Sequence, residues 1–340
     1  MADEQRVLSA WYQGRWWLYL LLPLAWLLQL LACLRRWWLQ SRAQPLAASV
    51  IVVGNIAIGG TGKTPLIIVL ARHLVAQGYK PGVISRGYGG RAPHYPFDVT
   101  SLSDPAHSGD EPLLIAMETQ CPVVVGSDRI KSAERLIQKF GCDVILSDDG
   151  LQHYRLARQF EICVVDGRRQ MGNGFCMPAG PLRESPERLL SVDCVVVNGE
   201  EPLQTKSVDA VAHMILKPTA WKRVGSDYDG VCQAAVGDQP WNTEDAAVIS
   251  AITGIGNPQR FFDTLATLGL KVDGRAFADH HAFSPADLAF VGDSPLVMTA
   301  KDAVKCRNFA RPDWWYLAVE AQIDKVFWET LDNFLENNNE

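Results

Sequence analysis

The chain has 340 residues, of which 48% are hydrophobic, and its formal net charge at pH 7 is −6. This length and apolar content allow one large core or two smaller ones, and they exclude an intrinsically disordered chain. The mild acidity argues against a nucleic-acid-binding protein, which would present a basic face. No nucleic-acid partner is expected.

The cysteines are widely spaced and form no C-x-x-C pair. They stand at positions 33, 121, 142, 163, 176, 194, 232 and 306. Several lie in apolar, strand-like runs, so we expect ordinary buried thiols of a reducing compartment and neither disulfides nor metal ligands.

Near the N-terminus, residues 16–34 contain no charged side chain, and only Pro23 and Gln29 interrupt a run rich in Leu and Trp. Tryptophans and arginines flank the run on both sides, as interfacial anchors do. A secreted signal peptide is not expected, because arginines follow at once. Three interpretations remain open: a transmembrane helix, a helix lying in one leaflet, and a helix buried against the protein. The arginines only slightly favour a cytoplasmic body.

A phosphate-binding loop is predicted after the apolar run 50–53. Its glycines allow a tight turn whose N–H groups point at phosphate oxygens, and the next helix adds the positive end of its dipole. Lys63 would reach the β- and γ-phosphates, and Thr64 would ligate Mg²⁺. Ala57 stands where the strict pattern has glycine. The residues predicted to bind ATP are Gly59, Gly60, Thr61, Gly62, Lys63 and Thr64.

Strand-like and helix-like stretches then alternate, which is typical of a doubly wound, mostly parallel α/β sheet. Strands are predicted at 50–54, 81–85, 122–125, 143–147, 160–165 and 192–197, and helices at 64–78, 110–118 and 128–140. Ligands of such sheets bind at the carboxyl ends of the strands. The polar residues that follow each strand are therefore the candidate site residues.

Three groups of these polar residues suggest phosphate chemistry. Arg86 lies in a glycine-rich turn and offers a planar cationic fork to a phosphate or substrate. Asp148 and Asp149 follow an apolar strand, as a Walker B carboxylate that binds Mg²⁺ does. Asp110 begins a helix, so its local sequence favours an N-cap, although a carboxylate there would also suit deprotonation of an acceptor hydroxyl.

The rest of the chain predicts a second, smaller α/β unit. Residues 199–246 are rich in Gly, Asp, Pro and Thr, with a strand-like stretch at 208–216. After them we expect strands at 247–253, 271–277, 296–299 and 314–319, and helices from 257 to about 269, at 285–291 and at 325–335. The predicted organisation is a membrane-associated segment (1–42), a P-loop kinase domain (43–200), a linker (201–246) and a C-terminal α/β domain (247–340). An active site would lie in the cleft between the two domains.

Together, the motifs resemble those of the tetraacyldisaccharide 4′-kinase family, in family order and behind an N-terminal membrane helix. They are Val53-Gly-Asn55, Gly59-Gly-Thr-Gly-Lys-Thr-Pro65, Ser85-Arg-Gly-Tyr-Gly89, Gly109-Asp-Glu-Pro112, Asp148-Asp-Gly-Leu-Gln-His153, Pro181-Leu-Arg-Glu184, Gly254-Ile-Gly-Asn-Pro258, Asp279-His-His281 and Thr299-Ala-Lys-Asp302. The chain departs from the family pattern at Ala300, where glutamate is expected.

The resemblance implies a P-loop kinase that uses ATP and Mg²⁺ to phosphorylate the 4′-hydroxyl of a tetraacyl glucosamine disaccharide 1-phosphate, giving lipid IVA, a lipid A precursor. It implies anchoring at the cytoplasmic face of the bacterial inner membrane by an N-terminal helix. It makes Asp110 the candidate base, paired with His280, beside Lys63 and Arg183 as catalytic residues. The implied metal ligands are Thr64, Asp148, Asp149 and Glu184, and the implied substrate contacts are Arg86 and Gln152.

Two other classes of function remain as alternatives. A membrane-associated switch ATPase of the partitioning type has a similar glycine pattern, but Ile58 stands where such a loop has its signature lysine. A nucleotide-binding membrane scaffold without catalysis would not need Asp110, Asp148 or Asp149. Histidines 280 and 281 lack the helical spacing of a metal site, and the family pattern favours His280 as the residue that faces the site.

Overall fold

The computed structural model describes residues 2–205, 208, 210–225, 233–238, 240 and 248–337. The chain begins with helix α1 (Ala2–Gln13), a 3₁₀ turn (Trp16–Leu21) and helix α2 (Leu22–Gln40). Pro23 lies in the first turn of α2, where its missing N–H has no helical partner to lose. The apolar run is therefore divided between the 3₁₀ turn and α2, and α2 extends beyond the uncharged run, which ends at residue 34.

The first α/β half matches the predicted alternation closely. Its elements are β1 (Ser49–Gly54), α3 (Lys63–Ala76), β2 (Pro81–Ser85), β3 (Phe97–Val99), α4 (Pro105–Ser108), α5 (Asp110–Thr119), β4 (Val123–Val125), α6 (Arg129–Phe140), β5 (Val144–Asp148), β6 (Phe160–Asp166) and β7 (Cys194–Asn198). The short elements β3 and α4 are absent from the sequence prediction.

The second half begins with a strand longer than predicted. The elements are β8 (Val211–Arg223), β9 (Gln233–Ala235), β10 (Ile249–Thr253), α7 (Pro258–Thr267), β11 (Val272–Ala276), β12 (Leu296–Thr299), α8 (Ala300–Cys306), β13 (Trp314–Ile323) and α9 (Lys325–Asn337). Residues 285–291, predicted as an α-helix, form a 3₁₀ helix.

The described strands form one sheet, in the order β11-β10-β12-β13-β8-β7-β6-β1-β5-β2-β4-β3, with β9 paired to β8. Strand β8 pairs parallel with β7 and antiparallel with β13, so it joins the two halves edge to edge. The predicted linker thus contains a central strand of the sheet. The domain boundaries themselves stay a prediction.

Helices cover both faces of the first half. Ile51 and Val53 of β1 point into a core with α3, α5 and α9, whereas Val50 and Val52 pack against α6. Fully buried β-branched runs of this kind are typical of a parallel sheet covered on both faces. This arrangement confirms the predicted doubly wound α/β fold and brings the carboxyl ends of β1, β2, β5 and β7 to one edge.

The described cysteines all carry free thiols. Five of them are buried and Cys176 is half-buried, as expected, but Cys33 is exposed on α2. Burial raises the pKa of Cys163 to about 12, so that thiol stays protonated at neutral pH. Cys232 lies outside the described residues.

Candidate active site at the sheet edge

The phosphate-binding loop connects β1 to α3, and its shape depends on neighbouring side chains. Buried Asn55 donates from Nδ2 to the carbonyls of Ala57 (2.7 Å) and Gly59 (3.2 Å). Gly62 has φ of +95°, and a Cβ there would collide with the amide of Asn198. Only glycine suits both the backbone conformation and the contact. Asn198 in turn donates to the carbonyl of Thr61 at 2.9 Å.

Lys63 begins α3 and joins a chain of charged side chains. Its Nζ lies 3.4 Å from Asp149 Oδ1, and Arg183 Nη1 lies 3.0 Å from Asp149 Oδ2. Burial opposes ionisation of Asp149, but the charges of Lys63 and Arg183 hold its pKa below the ordinary value. The carboxylate thus balances two cations at the place where the sequence predicts the phosphates of ATP.

Asp148 differs from its neighbour in environment. It is almost fully buried at the end of β5, where Ser85 donates to Oδ2 at 2.9 Å. Its Oδ1 has no hydrogen-bond partner among the described residues. Burial, reinforced by the charge of Glu111, raises the pKa of Asp148 to about 7. A buried carboxylate with a free oxygen is a group that a cation would stabilise.

Asp110 and His280 meet across the two halves of the chain. His280 Nδ1 lies 3.0 Å from each carboxylate oxygen of Asp110. Burial disfavours charge on both groups, but their mutual hydrogen bond and attraction outweigh it. Together with Lys301 and Lys305 they lower the pKa of Asp110 to about 2, and the pKa of His280 is raised. Asp110 therefore carries its charge at neutral pH.

A second ion pair lies beside this one. Lys301 Nζ, at the start of α8, lies 2.5 Å from Glu111 Oε1. Lys305 Nζ lies 2.9 Å from Asp302, whose carboxylate also accepts from the Gly254 N–H at 3.1 Å. The Lys301–Glu111 pair joins the second half to α5, whereas the bonds of Asp302 connect α8 to the strand end at Gly254 within the second half.

A large cleft of about 1120 Å³ separates the phosphate loop and α3 from the second half. Charged and polar residues line it around the phosphate loop, and apolar residues of α3, β8 and β13 line it together with Arg72, Lys222 and Glu320. Of the candidate site residues, those along the cleft are Gly59, Gly60, Thr61, Gly62, Lys63, Thr64, Arg86, Asp148, Asp149, Arg183 and His280. One cleft thus combines an anion-binding loop, carboxylates and a histidine.

Comparison with known proteins decides the family. A family model described as tetraacyldisaccharide-1-P 4′-kinase matches residues 17–336. The chain belongs to this kinase family. Among curated tetraacyldisaccharide 4′-kinases, that of Hahella chejuensis is 44% identical over 331 residues, covering 95% of this chain and 94% of the relative. That of Colwellia psychrerythraea is 48% identical over 312 residues, covering 89% and 88%.

A solved structure of a member of the tetraacyldisaccharide 4′-kinase family is also similar in fold. The Aquifex aeolicus protein, described as an "apo" form in complex with ATP, aligns with a TM-score of 0.76 at 24% identity. The alignment covers 94% of this chain and 98% of that one. The family model and the curated relatives confirm the family resemblance seen in the sequence motifs, and the structural match confirms the P-loop kinase fold.

Two of the predicted kinase residues are engaged within the protein. Gln152 donates from Nε2 to Glu184 Oε1 (2.7 Å) and to the carbonyl of Asn55 (3.2 Å). Glu184 accepts from Gln152 at one oxygen and from the Tyr154 hydroxyl at the other. Through these bonds, Gln152 and Glu184 stabilise the structure around the loop. A metal role for Glu184 and a substrate contact for Gln152 stay predictions.

Arg86 contrasts with them. It is exposed at the end of β2 and has no ion-pair partner among the residues that the structure describes. An unpaired arginine at the cleft of a kinase is available to an anionic ligand.

Several contacts around the kinase's phosphate loop were missed in the sequence. Arg169 donates to the carbonyl of Gly60, and Arg260 Nη2 donates to Asn198 Oδ1 at 2.7 Å. Glu111 belongs to the motif Gly109–Pro112, and the sequence assigns it no role of its own. A polar residue directly after a buried run was the signal for Asn198, since Val195–Val197 are β-branched and Asn198 ends that strand. The sequences around Arg169 and Arg260 give no indication of these contacts.

Proposed function

We propose that this protein transfers the γ-phosphoryl group of ATP to the 4′-hydroxyl of a tetraacyl glucosamine disaccharide 1-phosphate, forming lipid IVA. Family membership over nearly the whole chain supports the reaction class. The proposal rests on one observation in the molecule: Asp110 contacts His280, and His280 lines the same cleft as the phosphate-binding loop. A nucleotide-binding scaffold would have no use for an ionised carboxylate held by a histidine in this place.

In the proposed reaction, the 4′-oxygen attacks the γ-phosphorus, the bond to the β-phosphate oxygen breaks, and ADP leaves. The hydroxyl proton passes to a carboxylate oxygen of Asp110. A carboxylate with a pKa near 2 is a weak base. Because phosphoryl transfer has a loose transition state, Asp110 would chiefly orient the hydroxyl and take the proton late. His280 would fix the carboxylate and stabilise its charge.

The other proposed roles concern phosphate charge. The N–H groups of Gly59, Gly60, Thr61 and Gly62 would hold the phosphates, with Lys63 bridging the β- and γ-groups. Arg183, now paired with Asp149, would supply a second positive charge near the leaving group. Arg86 would bind an anionic group of either substrate.

The donor set fits a magnesium ion carried by ATP. Among the described residues, no group of three or more His, Cys, Asp or Glu side chains could hold a metal alone. Mg²⁺ in kinases usually takes one or two carboxylates and completes its shell with phosphates and water. Asp148, with its free buried oxygen, Asp149 and Thr64 would hold it. When bound, it would neutralise charge between the phosphates.

The proposed location is the cytoplasmic face of the bacterial inner membrane, where ATP is available. By length and composition, the helical segment Trp16–Gln40 could cross a membrane, and only 11% of its most apolar stretch is buried. That exposure argues against a helix buried in the protein, while a span and an in-plane helix both remain compatible. A tetraacylated acceptor stays in the bilayer, so an anchored enzyme would meet it there.

The experiment is incubation of the full chain with ATP and the tetraacyl disaccharide 1-phosphate in detergent micelles, followed by mass spectrometry. We expect the lipid to gain one phosphate and ADP to appear in equal amount. An acceptor that lacks the 4′-hydroxyl should gain none. ATP hydrolysis without any phosphorylated lipid would contradict the proposal and favour the switch ATPase.

A further inference from the structure

Helix α2 contacts the protein body next to the phosphate-binding loop through one arginine. The surface of α2 is mostly exposed, but the side chain of Arg36 extends from it to Glu184, with 3.9 Å between Nη1 and Oε2. Its guanidinium also lies over the ring of Tyr154, 5.2 Å from the centroid. The neighbouring Arg35 is exposed and has no such partner among the described residues. Of these two adjacent arginines, therefore, only Arg36 is bound to the protein body.

Glu184 is connected to the phosphate loop by hydrogen bonds. Its Oε1 accepts from Gln152 Nε2, which also donates to the Asn55 carbonyl. The side chain of Asn55 holds the loop carbonyls of Ala57 and Gly59. A displacement of Glu184 therefore reaches the loop through two hydrogen-bonded side chains.

The same glutamine also reaches the catalytic lysine. Gln152 Oε1 accepts from Arg183 Nη1 at 3.4 Å, and Arg183 pairs with Asp149 at 3.0 Å. Asp149 in turn lies 3.4 Å from Lys63 Nζ. Each group in this network is at least partly buried, so water screens it less than it screens a surface pair.

A second, apolar contact joins the same segments. Ile58, in the phosphate loop, packs against Ala10, Trp11 and Leu18 of the N-terminal segment. Trp11 Nε1 also donates to the carbonyl of Pro178 at 3.0 Å. The N-terminal segment is thus attached to the loop independently of Arg36, so loss of Arg36 need not detach it.

We propose that Arg36 is a positioning residue for ATP binding, which acts by holding Glu184 and through it the phosphate loop and Lys63. Arg188 Nε approaches the same oxygen of Glu184 at 3.6 Å, and Arg188 is also paired with Glu161 at 2.6 Å. The Tyr154 hydroxyl also donates to this oxygen, so Glu184 keeps a partner when Arg36 is lost. Without Arg36, however, Arg188 is the only cation left near Glu184 among the described residues, and the carboxylate shifts toward it and away from Gln152. This role rests on the proposed use of ATP.

The test is titration of the full-length protein in detergent micelles with a fluorescent ATP analogue, in the wild type, Arg36→Gln, Arg36→Lys and Arg35→Gln. Arg36→Gln should raise the Kd about fivefold, the size expected for one partly buried ion pair. Arg36→Lys should fall between it and the wild type, because lysine keeps the charge but not the planar stacking. Arg35→Gln, which removes the same charge from the same helix, should leave the Kd unchanged.

Equal Kd values for Arg36→Gln and Arg35→Gln would overturn the inference. So would an equal rise in the KM for lipid in both variants with an unchanged Kd for nucleotide, which would assign both arginines to the membrane surface. If Arg36→Gln does not fold, an Arg36→Lys Kd equal to the wild-type value overturns the inference, and a raised Kd supports it. A wild type that binds nucleotide but phosphorylates no lipid would contradict the proposed function alone.

Discussion

His280 Nδ1 lies 3.0 Å from both oxygens of Asp110, a residue 170 positions earlier in the chain. His280 holds a positive φ of +57° in the turn after β11, and its N–H donates to the Gly254 carbonyl at 3.2 Å. Such a backbone conformation is uncommon outside glycine and is found at functional sites. The contact therefore joins the two halves of the sheet at the carboxylate of Asp110.

This contact predicts that the two residues act as one unit in catalysis. Asp110→Asn and His280→Gln should each lower kcat by about 10²- to 10⁴-fold, the usual range for a lost acid–base group. The double variant should be little worse than either single one. Steady-state phosphorylation of the lipid measures all three. His281→Gln is the matched control, because His281 pairs with Asp287 instead, and fully additive losses would contradict the account.

The same contact predicts the titration of His280. Its pKa should lie above 6.5 in the wild type and fall below the wild-type value in Asp110→Asn, where burial acts without the carboxylate. Because the folded-state pKa of His280 is raised, its protonation stabilises the protein fully below pH 6.5 as long as Asp110 is ionised, and the contribution is lost as the pH rises through the folded-state value. NMR titration of the imidazole carbons measures the shift. An unchanged pKa would show that the two groups do not interact in solution.

Lys63 is predicted to bind the phosphates of ATP, so its loss should lower the activity of the enzyme toward ATP. Lys63→Ala should reduce kcat/KM for ATP by about 10²-fold or more, as loss of a partly buried charge at a transferring phosphate does. Lys131→Ala, on the exposed side of α6, is the control. The comparison is made at saturating lipid. Similar kcat/KM values for the two variants would argue against a phosphate role for this loop.

In the absence of metal and nucleotide, the buried carboxylate of Asp148 is predicted to destabilise the folded protein. Its pKa is raised to about 7, so the folded protein binds a proton that the unfolded chain releases near pH 4. Stability should therefore fall between pH 4 and 7, and Asp148→Asn should remove that fall. At pH 8 without metal or nucleotide, the variant should have a higher Tm than the wild type while being inactive. A lower Tm at that pH would contradict the assigned environment.

The sequence could predict much of this fold because buried strands such as 50–53 are continuous apolar runs, and 160–165 is interrupted only by Glu161, with glycine or acid at their ends. It could not predict that β8 joins the halves, since its alternation of half-buried residues is weak and pairing depends on β13, about a hundred residues later. Nor could it show that Pro23 lies in the first turn of α2, where it does not weaken the helix.

The site was predictable where a residue type follows a strand end, as for Lys63, Asp148 and Asp149. It was not predictable where function depends on a distant partner. Local sequence favoured Asp110 as a helix cap, and only the family resemblance paired it with His280. Arg169 and Arg260 reach the phosphate loop from elements whose own sequences give no sign of it.

The most direct test of the account is transfer of labelled γ-phosphate from ATP to the tetraacyl disaccharide 1-phosphate by the wild type and by Asp110→Asn, with nucleotide affinity measured on the same samples. The account predicts labelled lipid from the wild type, and almost none from Asp110→Asn although its ATP affinity is retained. Labelled lipid from Asp110→Asn at the wild-type rate would contradict the central claim that this carboxylate receives the acceptor hydroxyl.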